Sequence, residues 1–232
     1  MRNTDIYIKK YHCARAENKN NNIFDAMRNL IILLLLLCIS PVVNGQIKSQ
    51  PIAKSALPKS IRYQGKLVQA LQFQDNTGTY IALTTATGEQ PQKGDDEFRQ
   101  AQLYGYLYQV KANGQSTRIW QLHDLMSDCN LDLLAEFVPG SLSITDLDKD
   151  GIAEVWIAYR LACNGDISPS ELKVVMHEGA TKYARRGIGK IKIGNAVQPD
   201  GGEITSDEFK KAQISFRQYA SKLWNKYVME VQ

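Results

Sequence analysis

The stretch Ser141-Leu-Ser-Ile-Thr-Asp-Leu-Asp-Lys-Asp-Gly-Ile-Ala-Glu-Val-Trp-Ile-Ala-Tyr159 sets an acidic loop between two β-type segments. The residues on both sides of the loop alternate in the period of a strand. Val155, Trp156, Ile157 and Tyr159 are residues that favour strands. The stretch therefore predicts a β-hairpin that carries an acidic loop at its tip.

The loop places oxygen-bearing side chains at alternating positions. With Asp146 as position 1, carboxylates stand at positions 1, 3, 5 and 9, and Gly151 stands at position 6. Alternate residues of a tight loop can turn their oxygens onto one hard cation, and the glycine allows the sharp turn. Carboxylates this close repel one another without a cation between them. The sequence predicts a calcium site with these ligands: Asp146, Asp148, Asp150, the backbone carbonyl of Ile152, and Glu154.

An Asp-x-Asp-x-Asp-Gly-x-x-Glu loop between two strands resembles the calcium hairpins of integrin-type propeller repeats. An EF-hand is disfavoured, because position 12 is Ile157 rather than a bidentate glutamate and the flanks are not helical. The Asp-x-Asp motif of haloacid-dehalogenase-type phosphatases is also disfavoured, because it continues with Thr or Val where Asp150 stands. A solvated acidic turn without a cation is the remaining alternative. The loop is not repeated along the chain, which excludes a complete propeller.

The amino-terminal region predicts export. A short basic region begins at Met27, an apolar run covers residues 30–39, and small residues precede Gln46. This pattern is typical of a secretory signal peptide over residues 27–45, and the apolar run is too short to span a bilayer. Residues 1–26 are polar and unpatterned, so we expect them to be a non-native extension or to be removed with the signal.

Charge and cysteine content agree with an exported single domain. From Gln46 onward the acidic and basic residues nearly balance, so nothing in the charge requires nucleic acid or an acidic membrane as a partner. Cys129 and Cys163 are the cysteines that follow the predicted cleavage site. Two cysteines in an exported chain usually pair, so we expect a disulfide that brackets the acidic hairpin.

The rest of the chain predicts an α+β, mainly β fold: an antiparallel meander of hairpins with one carboxy-terminal amphipathic helix. Residues 46–60 are expected to form a flexible leader, and residues 61–232 a single domain. Hairpins are predicted around Asn76-Thr-Gly78, Ala112-Asn-Gly114 and Glu178-Gly179. The carboxy-terminal helix is predicted over residues 205–229, with Thr205-Ser-Asp-Glu208 as a capping box.

Several short motifs between Asp124 and Gly187 resemble a family of exported Bacteroidota proteins associated with surface polysaccharide biosynthesis. The matching residues are Asp128-Cys129, Asp132-Leu133, Ile144-Thr-Asp-Leu-Asp148, Ala153-Glu-Val155, Cys163-Asn-Gly-Asp-Ile-Ser-Pro169, Leu172-Lys173 and Lys182-Tyr-Ala-Arg-Arg-Gly187. The resemblance implies export and supports the cysteine pair, but it implies no catalytic step and supplies no catalytic residues.

Candidate catalytic groups are few. His123 precedes Asp124, so a His–Asp dyad is conceivable, but no recognisable nucleophile turn accompanies it. His177 lies on a predicted strand, where a structural role is more common. The acidic run Asp95-Asp96-Glu97 lies in a polar loop without apolar walls that would raise a carboxyl pKa. We therefore assign no catalytic residue.

One basic cluster follows the acidic hairpin, and its candidate glycan-binding residues are Lys182, Tyr183, Arg185 and Arg186. A cluster of this kind can bind an acidic envelope glycan. The alternative interpretation is that these residues only form a solvated face of a strand. The sequence thus favours an exported, calcium-binding, non-enzymatic cell-envelope protein that is accessory to surface polysaccharide assembly or binding. The alternative is a secreted hydrolase or transferase that acts on envelope glycan.

Overall fold

A computed structural model describes residues 46–231 of the 232-residue chain. The strands, labelled β1 to β15 in chain order, are Ser49–Pro51, Lys66–Asp75, Gly78–Ala86, Gln90–Gln92, Asp95–Val110, Ser116–Cys129, Asp132–Phe137, Ser143–Thr145, Glu154–Asn164, Glu171–Glu178, Thr181–Ile188, Lys190–Ile193, Ala196–Gly201, Ile204–Asp207 and Met229–Val231. The helix α1 covers Ile214–Tyr227, and short 3-10 turns cover Lys54–Ala56 and Glu208–Lys211. The predicted mainly β fold with one carboxy-terminal helix is confirmed.

The strands form two large antiparallel sheets and one small sheet. In the first sheet the order is β1-β2-β3-β5-β4, and β6 pairs with β5. In the second sheet the order is β14-β11-β10-β9-β7, and β8 pairs with β9. The small third sheet has the order β13-β12-β15, with β12 and β15 parallel.

All three turn-centred hairpins form where the sequence places them. The turn after Asp75 joins β2 to β3, the turn around Asn113 joins β5 to β6, and the turn at Gly179 joins β10 to β11. The acidic hairpin forms as well, because Thr145 at the end of β8 pairs with Glu154 at the start of β9. Local turn chemistry was sufficient for these assignments because each hairpin joins strands that are adjacent in sequence.

Three apolar clusters hold the layers together. One lies between the two large sheets and contains residues such as Leu103, Trp120 and Ile157. A second lies between the outer face of the second sheet and the segment formed by the second 3-10 turn and α1, and there Trp156 stacks on Phe209 of the turn with ring centroids 5.5 Å apart. The third covers the outer face of the first sheet with apolar residues of the segment that precedes β2.

Two boundary predictions differ from the structure. The expected flexible leader 46–60 contains β1, which pairs with β2, and the first 3-10 turn. The helix begins at Ile214 rather than at residue 205, because Ile204–Asp207 extends beside β11 as β14. Asp207 accepts a hydrogen bond from the Phe209 amide at 3.2 Å, so it caps the short 3-10 turn instead of the long helix.

The predicted signal peptide (residues 27–45) and the amino-terminal extension (residues 1–26) lie outside the described residues. Between residues 46 and 231, no helix combines the length and the apolar character that a membrane crossing requires.

A disulfide joins Cys129 at the end of β6 to Cys163 near the end of β9, as the sequence predicts. The bond links the two large sheets, since β6 belongs to the first and β9 to the second. The two cysteines are 34 residues apart in the sequence.

Removing this disulfide should destabilise the protein. The double change Cys129→Ala with Cys163→Ala should lower the free energy of unfolding by about 4 kcal/mol, because it frees a loop of this length in the unfolded chain. Urea unfolding of the oxidised wild type and the double variant measures the difference. Two alkylatable thiols in the natively folded wild type would contradict the disulfide itself.

Candidate metal centre

The acidic loop is a tight turn at the tip of the β8–β9 hairpin. Lys149 and Gly151 both adopt left-handed backbone conformations, with φ of 65° and 82°. The Asp150 carboxylate accepts a hydrogen bond from the Ile152 amide at 2.7 Å, which closes the turn locally. This backbone brings the carboxylates of the predicted ligands to one end of the second sheet.

Two overlapping groups of carboxylates within residues 46–231 could hold a metal ion. One group consists of Asp146, Asp148 and Glu154, and the other of Asp148, Asp150 and Glu178. Within each group the ligand atoms lie within 4.8 Å of one another. The structure therefore brings together all four acidic residues predicted from the loop and adds Glu178 to them.

Strand register explains why Glu178 joins the loop. Glu154, the first residue of β9, is the direct cross-strand partner of Glu178, the last residue of β10. Glu154 also pairs with Thr145 on its other side. Three strand ends thus meet at the loop. The sequence analysis missed Glu178 because it lies in another hairpin, and only the register of β9 against β10 reveals the contact.

Glu154 is completely buried. Its carboxylate accepts a hydrogen bond from the Leu147 amide at 2.8 Å and another from the Thr145 hydroxyl. The Thr145 oxygen in turn accepts a hydrogen bond from the indole nitrogen of Trp156 at 2.8 Å. Burial raises the pKa of Glu154, while these hydrogen bonds oppose the rise. Thr145 and Leu147 therefore hold the carboxylate in place, and Trp156 connects Thr145 to the apolar layer beneath α1.

Glu178 is half-buried beside the same loop. Burial and, after it, repulsion from Asp148 and Asp150 raise the pKa of Glu178 to about 7. One carboxylate oxygen of Glu178 and one of Asp146 are shielded from solvent and have no hydrogen-bond partner among the described residues. A buried acceptor without a donor is costly, so these oxygens favour a proton or a cation.

The amino-terminal end of α1 also contacts the loop. The side-chain amide of Gln213, the residue before the helix, donates a hydrogen bond to Asp148 at 2.7 Å. At the other end of the helix, Arg160 donates to the carbonyl of Tyr227 and pairs with Glu230 at 2.7 Å. Anionic groups near the amino terminus and a cation near the carboxyl terminus both suit the helix dipole.

Ile152 contributes its amide to the loop turn. The two metal-capable groups consist of side chains alone, so its predicted carbonyl ligand stays a prediction. The donor set of both groups consists of carboxylate oxygens, the type that hard cations prefer.

The candidate glycan-binding residues do not form one surface. Arg185 is buried and pairs with Asp207 at 2.8 Å, and Tyr183 packs against Phe209. Lys182 is exposed, and Arg186 is half-exposed beside Glu208. Alternation along β11 explains the split, because successive side chains of a strand point to opposite faces.

Between residues 46 and 231, neither His123 nor His177 forms a hydrogen bond with an acidic side chain. His123 stacks on Tyr104 and bonds to Gln102 at 3.0 Å, whereas Asp124 accepts hydrogen bonds from Tyr159 and Lys173. His177 stacks on Trp120 with ring centroids 4.1 Å apart. Burial lowers the pKa of His177 to about 4, so this ring is neutral at physiological pH. The conceivable His–Asp dyad is therefore absent.

Comparisons of the chain with protein-family models, with curated proteins and with solved structures found no match.

The raised pKa of Glu178 predicts how metal-free stability depends on pH. Folding favours the protonated carboxyl, so this stabilisation is complete below about pH 4.5 and is lost as the pH rises through about 7. In the presence of a chelator, the melting temperature of the wild type should therefore fall as the pH rises from about 4.5 to about 7. The Glu178→Gln variant should not show this fall. Melting curves at several pH values measure the difference, and parallel profiles for both proteins would contradict this environment for Glu178.

Proposed function

We propose that this protein is an exported, calcium-binding, non-enzymatic component of the cell envelope. The observation that carries the proposal is the direct cross-strand pairing of Glu154 with Glu178 beside three aspartates of one tight loop. Like charges directly opposite each other on a sheet are destabilising. A bound divalent cation converts this repulsion into attraction and also supplies partners for the unpaired oxygens of Asp146 and Glu178.

The donor chemistry favours calcium over other metals. Zinc prefers nitrogen and sulfur ligands, and neither of the two carboxylate groups includes a histidine or a cysteine. Magnesium requires a near-ideal octahedron and usually binds through one or two carboxylates, whereas calcium accepts six to eight oxygens in a flexible geometry. Asp146, Asp148, Asp150, Glu154 and Glu178, with the Ile152 carbonyl, suit the larger ion.

Two features support export. The Cys129–Cys163 disulfide is typical of proteins from oxidising compartments, and the signal-like segment precedes the described domain in the sequence. Extracellular calcium modules bind at about 10⁻⁴–10⁻³ M, an affinity suited to a calcium-rich compartment. The resemblance to exported proteins of surface polysaccharide biosynthesis leads us to place this protein beside an acidic surface glycan.

The basic cluster offers that glycan a smaller surface than the sequence suggests. Arg185 pairs with Asp207 of β14 and Tyr183 packs on Phe209 of the 3-10 turn, so both side chains belong to the fold. Lys182 and Arg186 are the members of the cluster that solvent reaches most easily. Contact with an acidic polymer through these two charges would be weak and sensitive to salt.

Calcium should stabilise the folded protein against heat. At calcium concentrations ten to a hundred times the dissociation constant, binding to the folded state adds about 1.4–2.7 kcal/mol, equivalent to about 3–10 °C for a domain of this size. Asp148→Ala should abolish the increase, because Asp148 belongs to both carboxylate groups. Differential scanning fluorimetry with calcium or chelator measures the effect.

Asp96→Asn provides the matched control, because Asp96 is an exposed acid of β5 outside both carboxylate groups. This variant should keep the full calcium-dependent increase. A wild-type melting curve that is identical in calcium and in chelator would refute calcium binding at this site.

A further inference from the structure

The turn between β2 and β3 lies directly on the acidic loop, although the two belong to different sheets. The Asn76 amide donates a hydrogen bond to the Gly151 carbonyl at 2.9 Å. The Ala153 amide donates to the Asp75 carboxylate at 3.2 Å, and the Asn76 side chain donates to the Asp150 carbonyl at 3.4 Å. Hydrogen bonds therefore run in both directions between the turn and the loop.

The fit between the two segments is close. A Cβ atom on Gly151 would lie 1.8 Å from the Asn76 side-chain nitrogen, so no other residue fits without movement of the Asn76 side chain. The turn itself is well defined, because one Asp75 oxygen accepts hydrogen bonds from the Thr77 amide at 2.7 Å and the Gly78 amide at 3.1 Å. The turn therefore has a fixed conformation of its own, and a shift of the loop backbone would break the hydrogen bonds between the loop and the turn.

The amino-terminal strand is held at the same place. Strand β1 consists of three residues and pairs only with β2 among the described strands. A pocket of about 410 Å³ lies between the residues that precede this strand and the loop, and its lining includes Gln46, Ile47, Lys48, Asp146 and Gly151. Ile47 also packs against the core between the large sheets. Residues 46–48 and the acidic loop thus line the same pocket.

We infer that cation binding by the acidic loop controls the docking of the β2–β3 turn and, through it, the order of the amino-terminal strand. The inference rests on the proposed calcium site and names what that site regulates. The carbonyls of Asp150 and Gly151 accept from Asn76 only while the loop keeps its tight conformation. Without a cation, carboxylate repulsion opens the loop and moves these acceptors away from the turn.

Hydrogen exchange measured by mass spectrometry tests the coupling in the mature protein. With calcium at ten times its dissociation constant, exchange of the segments 46–54 and 75–80 should slow about tenfold relative to chelator, because opening would require loss of the ion. Asn76→Ala should bind calcium with an affinity within about threefold of wild type, since Asn76 belongs to neither carboxylate group. In this variant, calcium should slow exchange in residues 46–54 less than in wild type, because the side-chain bond to the Asp150 carbonyl is lost while the backbone bond from residue 76 to the Gly151 carbonyl remains.

Asn113→Ala is the matched control, because Asn113 occupies another hairpin turn and, within residues 46–231, its side chain bonds only to Gln115. It should show the full wild-type response. Calorimetry separates the two possible failures. An absence of calcium binding would overturn the proposed function. Calcium binding with unchanged exchange in residues 46–54 of the wild type, or an Asn76→Ala variant that still responds fully, would overturn the coupling alone.

Discussion

The opposition of Glu154 and Glu178 is the constraint on which this structure depends most. Strand register makes the two carboxylates direct neighbours, and the turn of the loop adds three aspartates beside them. Glu154 cannot move away, because it is buried and bonded to Leu147 and Thr145. The fold therefore concentrates negative charge where solvent cannot screen it fully, and a proton or a cation must compensate for that charge.

The acidic loop and the strand ends around it contact several other elements of the domain. Trp156 connects it through Thr145 to the layer beneath α1, Gln213 connects it to the start of the helix, and Asn76 connects it to the first sheet. At the opposite end of α1, Arg160 holds the last helical carbonyl and Glu230. The disulfide adds a second link between the sheets at Cys129 and Cys163. Hydrogen bonds thus connect the acidic loop to both large sheets and to the residue before α1.

Local sequence patterns predicted the features that depend on neighbouring residues. Turn chemistry located the hairpins, and the spacing of Asp146, Asp148, Asp150 and Glu154 predicted the loop that gathers them. Such local patterns do not predict the pairing of strands from different hairpins. Glu178 joins the site through the register of β9 with β10. The capping-box assignment was wrong because β14 extends along β11, and that competition is invisible in the local sequence.

Calcium titration by calorimetry, in buffers with different ionisation enthalpies, tests the central claim most directly. If a cation replaces protons on the opposed carboxylates, binding at pH 7 should release about half a proton per ion or more, since the pKa of Glu178 is about 7. The release should disappear at about pH 9, where Glu178 is already ionised, and in Glu178→Gln. Calcium binding with no proton release at pH 7, or no calcium binding at all, would contradict the account.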